Sequence, residues 1–251
     1  MAQHIAIVSA LHAELAEVLA LMPDEHKRTV GGRTFWSGRL HGHEVVATLS
    51  GMGKVAAATT TSLLIDHFKA EQIIFTGVAG GLAVGTEVGD VVVGSGFVQH
   101  DMDASPMFPR FELPGKGISR LPADGVLTQV LQEAAEDAVT WLPKLLDAAT
   151  LASLGLHRPA VHKGLIVSGD RFVSSNTEVQ ALRAALPEAL AVDMESAAVA
   201  QVCRDFGVGF GAVRTISDRA DNEAHVDFPR FLDQVARHYS ARIIRKALNL
   251  L

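Results

Sequence analysis

The chain of 251 residues carries a single cysteine, Cys203, so it can form neither an internal disulfide nor a thiolate metal site. Such cysteine usage fits a reducing, cytoplasmic setting. Positive charge is also scarce, with 22 Lys+Arg against 28 Asp+Glu and a formal net charge of −6. Gripping phosphates needs a positive face, which argues against nucleic acid as a partner. Charges and histidines interrupt every apolar run well short of the about 18 residues that cross a membrane. The opening MAQHIAIVSALHAELAEVLALM lacks the cationic head and unbroken apolar stretch of a secretory leader. Several catalytic signatures are missing as well. The 11 histidines are scattered, with no HExxH and no His/Cys cluster at ligand spacing, so no metal is expected. No GxSxG elbow is present, and no GxGxxG with a following acidic residue. SGMGK lacks the rest of a GxxxxGK[ST] phosphate loop, with Val55 after the lysine.

What is present is ample apolar mass: 48% hydrophobic residues against 20% charged, enough for a full core. Short β-branched runs alternate with helical patterns. Strands are predicted at His4–Ser9, Val45–Leu49, Gln72–Thr76, Asp90–Val98 (with glycine kinks), Gly164–Val167 and Val208–Ile216, with a short one ending near Asp193. Helices are predicted at Leu11–Leu21, Val55–Lys69, Val126–Ala138, Leu145–Leu154, Thr177–Ala185, Glu195–Phe206 and Phe228–Leu250. Met102–Gly117, with three prolines and two glycines, reads as a long loop of the kind that is often functional. Alternation of this kind predicts one α/β domain over 1–251, with a mainly parallel or mixed sheet covered on both faces.

Functional groups in such folds gather at the carboxyl ends of strands. Glu14 falls one turn into the helix after the first strand, where a carboxylate also serves as a dipole partner. Thr76–Gly81 (TGVAGG) offers glycines that let a ligand or another segment approach the backbone. Asp193-Met194-Glu195 opens a helix, and its two carboxylates also read as caps. Arg214, Ser217 and Asp218 lie at the end of another strand, as site residues or as a structural ion pair. Separate carboxylates without a metal or a covalent nucleophile suit acid–base hydrolysis of a good leaving group.

Seven stretches in order, IAIVSALHAEL, SGMGKVAAA, TGVAGGLAVGTEVGDVVV, QHDMDA, GLIVSGDRFV, AVDMESAAVA and VRTISDRAD, followed by HVDFPRFL, resemble the nucleoside phosphorylase superfamily. The similarity is strongest to its 5′-methylthioadenosine/S-adenosylhomocysteine nucleosidases, and only Pro122–His162 reads as generic. The resemblance implies a three-layer α/β domain around a central mixed sheet, a homodimer, and irreversible hydrolysis of an N-glycosidic bond without a cofactor. By motif, Asp218 is expected to protonate adenine N7 and Glu14 to hold and deprotonate the attacking water. Glu195 would bind the ribose hydroxyls, with Met194 against the sugar. Phe172 would stack on adenine, the Val173 backbone would read the base edge, and Ser217 would support Asp218. Arg214 and backbone groups near Gly80 would help order the water. Leu11, Met52 and Phe228 would wall the 5′-substituent pocket, and Met107 and Phe108 would reach the partner subunit's pocket. Two departures stand out: Val78 where the nucleosidases usually have serine, and Asp193 where they commonly have glutamate. A phosphorylase, a hydrolase of a related nucleoside such as aminodeoxyfutalosine, and a non-catalytic nucleoside-binding relative remain as rivals.

Overall fold

β1 (His4–Ser9) shows how the sequence builds the layers, since all but its first residue are buried and successive side chains serve opposite faces. Ile5 and Ile7 join one core cluster and Ala6 and Val8 the other. In a computed structural model, the structure describes residues 4–251 except 23–24, 147–150, 153, 155, 157, 222–227 and 229–230. Among the described residues no helix is long and apolar enough to cross a membrane.

The strands are β1, β2 (His26–Val30), β3 (Arg33–Leu40), β4 (His43–Leu49), β5 (Gln72–Gly81), β6 (Val91–Gln99), β7 (Leu121–Pro122), β8 (Val161–Ser168), β9 (Ala189–Asp193) and β10 (Gly209–Asp218). They form one mixed sheet in the order β10-β6-β8-β9-β5-β1-β4-β3-β2, with β7 on β6. An additional parallel pairing of β10 with β5 closes the five strands β10, β6, β8, β9 and β5 into a ring. Over one face pack α1 (His12–Ala20), α3 (Gly125–Leu145) and α6 (Arg237–Leu250); over the other, α2 (Lys54–Phe68) and α5 (Ser196–Phe206). Val179 and Leu182 of α4 (Asn176–Ala185) share a third core cluster with Val167 and Val192. This is the mixed, helix-covered sheet expected from the sequence.

Three differences have clear physical causes. β5 does not stop at Thr76 but continues through Gly81, because Arg214, Thr215, Ile216 and Asp218 of β10 pair with Gly77, Val78, Ala79 and Gly80, and β9 pairs with Gly80 and Gly81. The β2–β3 hairpin has no counterpart in the predicted elements. β2 is an outer strand of sequence HKRTV, exposed along nearly its whole length, and presents no apolar alternation. α3 runs past Ala138 to Leu145, because Val139 and Leu142 continue its apolar stripe onto the core. Half of the Leu145–Leu154 prediction, residues 147–150 and 153, falls outside the described residues. Within Phe228–Leu250, a short π-helical segment at Leu232–Ala236 precedes α6.

Candidate active site

The carboxyl ends of β1, β5, β9 and β10 open into one cavity, and Glu14 is fixed there by backbone alone. Leu11, extended, caps α1, and Glu14 at the third helical position folds back over it. Its Oε2 accepts the N–H groups of Ala10 at 2.9 Å and Leu11 at 2.8 Å, while Oε1 accepts that of Val78 at 3.1 Å. Glu14 thus supplies the carboxylate half of a capping box on its own helix and also lines the cavity. Burial pushes its pKa above the ordinary carboxylate range, against the pull of these N–H groups and of the Arg214 charge.

Gly77 makes the approach possible, since a Cβ there would lie 2.8 Å from Glu14 Oε1 and 3.0 Å from Arg214 Nη1. Arg214 itself is buried behind the cavity and is absent from its lining. Its Nε donates to Asp193 Oδ2 at 2.8 Å, its Nη2 to Ser196 Oγ at 3.0 Å, and its guanidinium stacks 4.0 Å from the Phe75 ring centroid. The ion pair of Arg214 is thus with Asp193, while its field reaches Glu14.

Asp193 also accepts the Ser168 hydroxyl at 2.5 Å, the Ser196 hydroxyl, and the Ser196 N–H at 3.2 Å. Its carboxylate thus accepts the N–H of the first residue of α5, whereas Glu195, at the N-cap position, makes no side-chain cap bond. Glu195, two residues on, lines the cavity with Met194. Its Oε1 accepts the Gly53 N–H at 2.9 Å. Burial, then the charge of Asp193, push the Glu195 pKa up to about 7, with Arg214 and the Gly53 N–H opposing.

Across β5 from Glu14 stands Asp218. Its Oδ2 accepts the Ser217 hydroxyl at 2.8 Å and its Oδ1 the Ala220 N–H at 2.8 Å. Gly80 leaves it room, because a Cβ there would lie 3.1 Å from Asp218 Oδ1 and 2.8 Å from Ala220 Cβ. A bulge between Ile216 and Asp218 turns the strand end into the cavity.

The remaining walls are apolar. Phe172 is 46% exposed and meets Phe228 edge-on, with ring centroids 5.6 Å apart at 75°. Val173 is buried beside it, Leu11 lies opposite at the start of α1, and Met52, 64% exposed, stands at the rim. The residues that the resemblance places in this chain's own pocket are thus gathered around one cavity, with Arg214 behind it, while Met107 and Phe108 are not among its lining residues. Ala10, Ala79, Val192 and Arg171 also line it. Ala10 acts on Glu14 through its N–H, which no side-chain pattern reveals. Among the described residues no group of His, Cys, Asp and Glu can hold a metal ion.

The sequence pattern of the phosphorylase superfamily matches residues 4–249. The chain is 37% identical over 246 residues to the 5′-methylthioadenosine/S-adenosylhomocysteine nucleosidase of Geobacillus thermodenitrificans, covering 98% of this chain and 96% of that one. The nucleosidase of Neisseria meningitidis, solved in complex with methylthio-immucillin-A, superposes with a TM-score of 0.87 at 34% identity, over 99% of this chain and 100% of that one. The futalosine hydrolase of Helicobacter pylori gives 0.85 at 32% identity, over 100% and 99%.

Proposed function

The chain belongs to the phosphorylase superfamily and, within it, to the 5′-methylthioadenosine/S-adenosylhomocysteine nucleosidases, and from that premise we propose how its residues divide the reaction. The enzyme hydrolyses the N-glycosidic bond of 5′-methylthioadenosine and S-adenosylhomocysteine, releasing adenine and the 5-thio-substituted ribose. Asp218 is the general acid that protonates adenine N7, with Ser217 holding its second oxygen. Glu14 holds the attacking water and takes its proton. Glu195 binds the ribose hydroxyls, and Met194 packs against the sugar. Phe172 stacks on the base and the Val173 backbone reads its edge. Leu11, Met52 and Phe228 enclose the 5′ substituent. Arg214 acts on the water from behind, through its charge on Glu14.

One observation carries this reading: Glu14 and Asp218 sit in one cavity, seated against glycines three residues apart on β5. The ribosyl centre becomes cationic as the base departs, so a protonated leaving group and nearby carboxylates both lower the barrier. A positioned acid or base contributes about 10²–10⁴-fold. Phosphate as nucleophile fits poorly. Arg214 is engaged by Asp193, Arg171 at the rim by Glu178, and the buried Glu14 carboxylate would repel an anion.

The reading extends to a single catalytic domain over 1–251, working in the cytoplasm as a homodimer without a cofactor. Met107 is 80% exposed on the loop that would complete the partner's pocket, and Met52 and Val55 present an apolar rim. A second reading, hydrolysis of a related nucleoside such as aminodeoxyfutalosine, draws support from the likeness to the futalosine hydrolase. Adenine release from methylthioadenosine, followed with and without phosphate and with the sugar identified, tests the reaction. Free methylthioribose without phosphate supports hydrolysis; a phosphate requirement contradicts it. Ratios of kcat/KM for the two nucleosides in competition rank the substrates.

A further inference from the structure

Three motif residues have no part in the site described so far: the lysine of SGMGK, the first aspartate of QHDMDA and the aspartate of SGD. They meet at one point, outside the cavity's lining but beside residues that form it. Lys54 Nζ donates to Asp101 Oδ1 at 2.6 Å and to Gln99 Oε1 at 3.0 Å. Asp101 Oδ2 accepts the Asp170 N–H at 2.9 Å, and Asp170 Oδ1 accepts the Lys54 N–H at 2.7 Å. The three residues thus close a cycle in which each holds the other two, and Gln201 fixes Gln99 from below at 2.6 Å. Lys54 and Asp101 are only 16% and 27% exposed. Burial raises the Asp101 carboxyl, and the Lys54 ammonium and Asp170 N–H more than reverse it, leaving it below the usual range.

The cycle joins two walls of the cavity. Lys54 directly follows Gly53, whose N–H donates to Glu195 Oε1, and Asp170 leads into Arg171, Phe172 and Val173. Gly53 has φ +92°, leaves no room for a Cβ beside Asp170 Oδ1, and is followed by the Lys54 N–H that Asp170 holds, so the orientation of its N–H is tied to the cycle. We infer that Lys54, Asp101 and Asp170 are positioning residues that hold the Gly53 N–H on Glu195, and so set the affinity for the ribose hydroxyls. The inference rests on the reading of Glu195 as the hydroxyl-binding group. An isolated exposed ion pair adds little to stability; a closed cycle that aims a donor at a binding carboxylate shows itself in KM instead.

The test compares the purified wild type with Asp101→Asn and Lys54→Met, on methylthioadenosine and on its 2′,3′-dideoxy analogue. On methylthioadenosine each variant is expected to raise KM about 10-fold, the scale of one hydrogen bond to a charged group, with kcat within about 3-fold. The double variant should be no worse than the worse single one, because one broken link opens the cycle. On the dideoxy analogue, which offers Glu195 no hydroxyl, the variants should match the wild type. Unchanged KM on methylthioadenosine, or an equal rise on both substrates, overturns the inference while leaving the Glu195 reading intact. A wild type that does not distinguish the two substrates overturns both. Should Asp101→Asn melt below the assay temperature, Lys54→Met carries the comparison.

Discussion

The backbone N–H of Val78 donates to Glu14 Oε1 at 3.1 Å, so the contact at this position comes from the main chain and is independent of the side chain. The valine that stands in place of the nucleosidases' usual serine therefore leaves Glu14 fully held, since Ala10 and Leu11 supply two further donors. Val78→Ser is expected to change kcat/KM for methylthioadenosine by less than about 5-fold, as a hydroxyl there adds only one more water partner. Steady-state kinetics of the single variant check this.

The pH dependence of stability follows from Glu195. Its folded pKa of about 7 lies above the model-peptide value of 4.5. The favourable contribution is therefore complete below pH 4.5 and is lost as pH rises through about 7. Buried Glu14, also raised by burial, acts in the same direction. Glu195→Gln removes its share, up to about 3 kcal/mol. The variant's melting temperature should gain on the wild type between pH 5 and pH 8, where thermal melts at the two ends give the difference directly.

Phe172 is half-exposed and touches Phe228 only edge-on, so its ring contributes little to the fold and is free to stack on a base. Base–aromatic stacking contributes about 1–3 kcal/mol. Phe172→Ala should raise KM between about 5- and 150-fold, with the melting temperature nearly unchanged. Inhibition by free adenine should weaken in parallel.

Two of the β5 glycines, Gly77 and Gly80, are predicted to be intolerant in different ways. Gly77→Ala places a methyl 2.8 Å from Glu14 Oε1, and Gly80→Ala places one 3.1 Å from Asp218 Oδ1 and 2.8 Å from Ala220 Cβ. Each displaces one of the carboxylates proposed as base and acid, and kcat should fall about 10²-fold in both, as for loss of one acid or base. Ile73→Val, in the core of the same strand, serves as the control: it should cost about 1 kcal/mol of stability with kcat retained.

Much of this was legible in the residues. Buried β-branched runs marked β1, β4, β6, β8 and β10, and acidic residues at strand ends marked Glu14, Glu195 and Asp218. The exposed strand β2 escaped because hydrophobic periodicity registers only faces that are buried. The glycines at 77 and 80 read as points of close approach beyond a strand ending at Thr76, yet they belong to that strand, and their missing side chains accommodate carboxylates from α1 and β10. Nothing local identifies Asp193 as the partner of Arg214, 21 residues away, or joins Lys54 to Asp101 and Asp170. Those pairings arise from closure of the strand ring, which juxtaposes distant strand ends.

The assignment of Asp218 as the acid on the leaving base is tested most directly by the leaving group itself. Asp218→Asn should be assayed on methylthioadenosine and on the 4-nitrophenyl 5-methylthioriboside, whose nitrophenolate departs without protonation. The account predicts a fall in kcat of at least about 10²-fold on the nucleoside and less than about 3-fold on the riboside. Equal losses on both substrates, or full activity on methylthioadenosine, would contradict it.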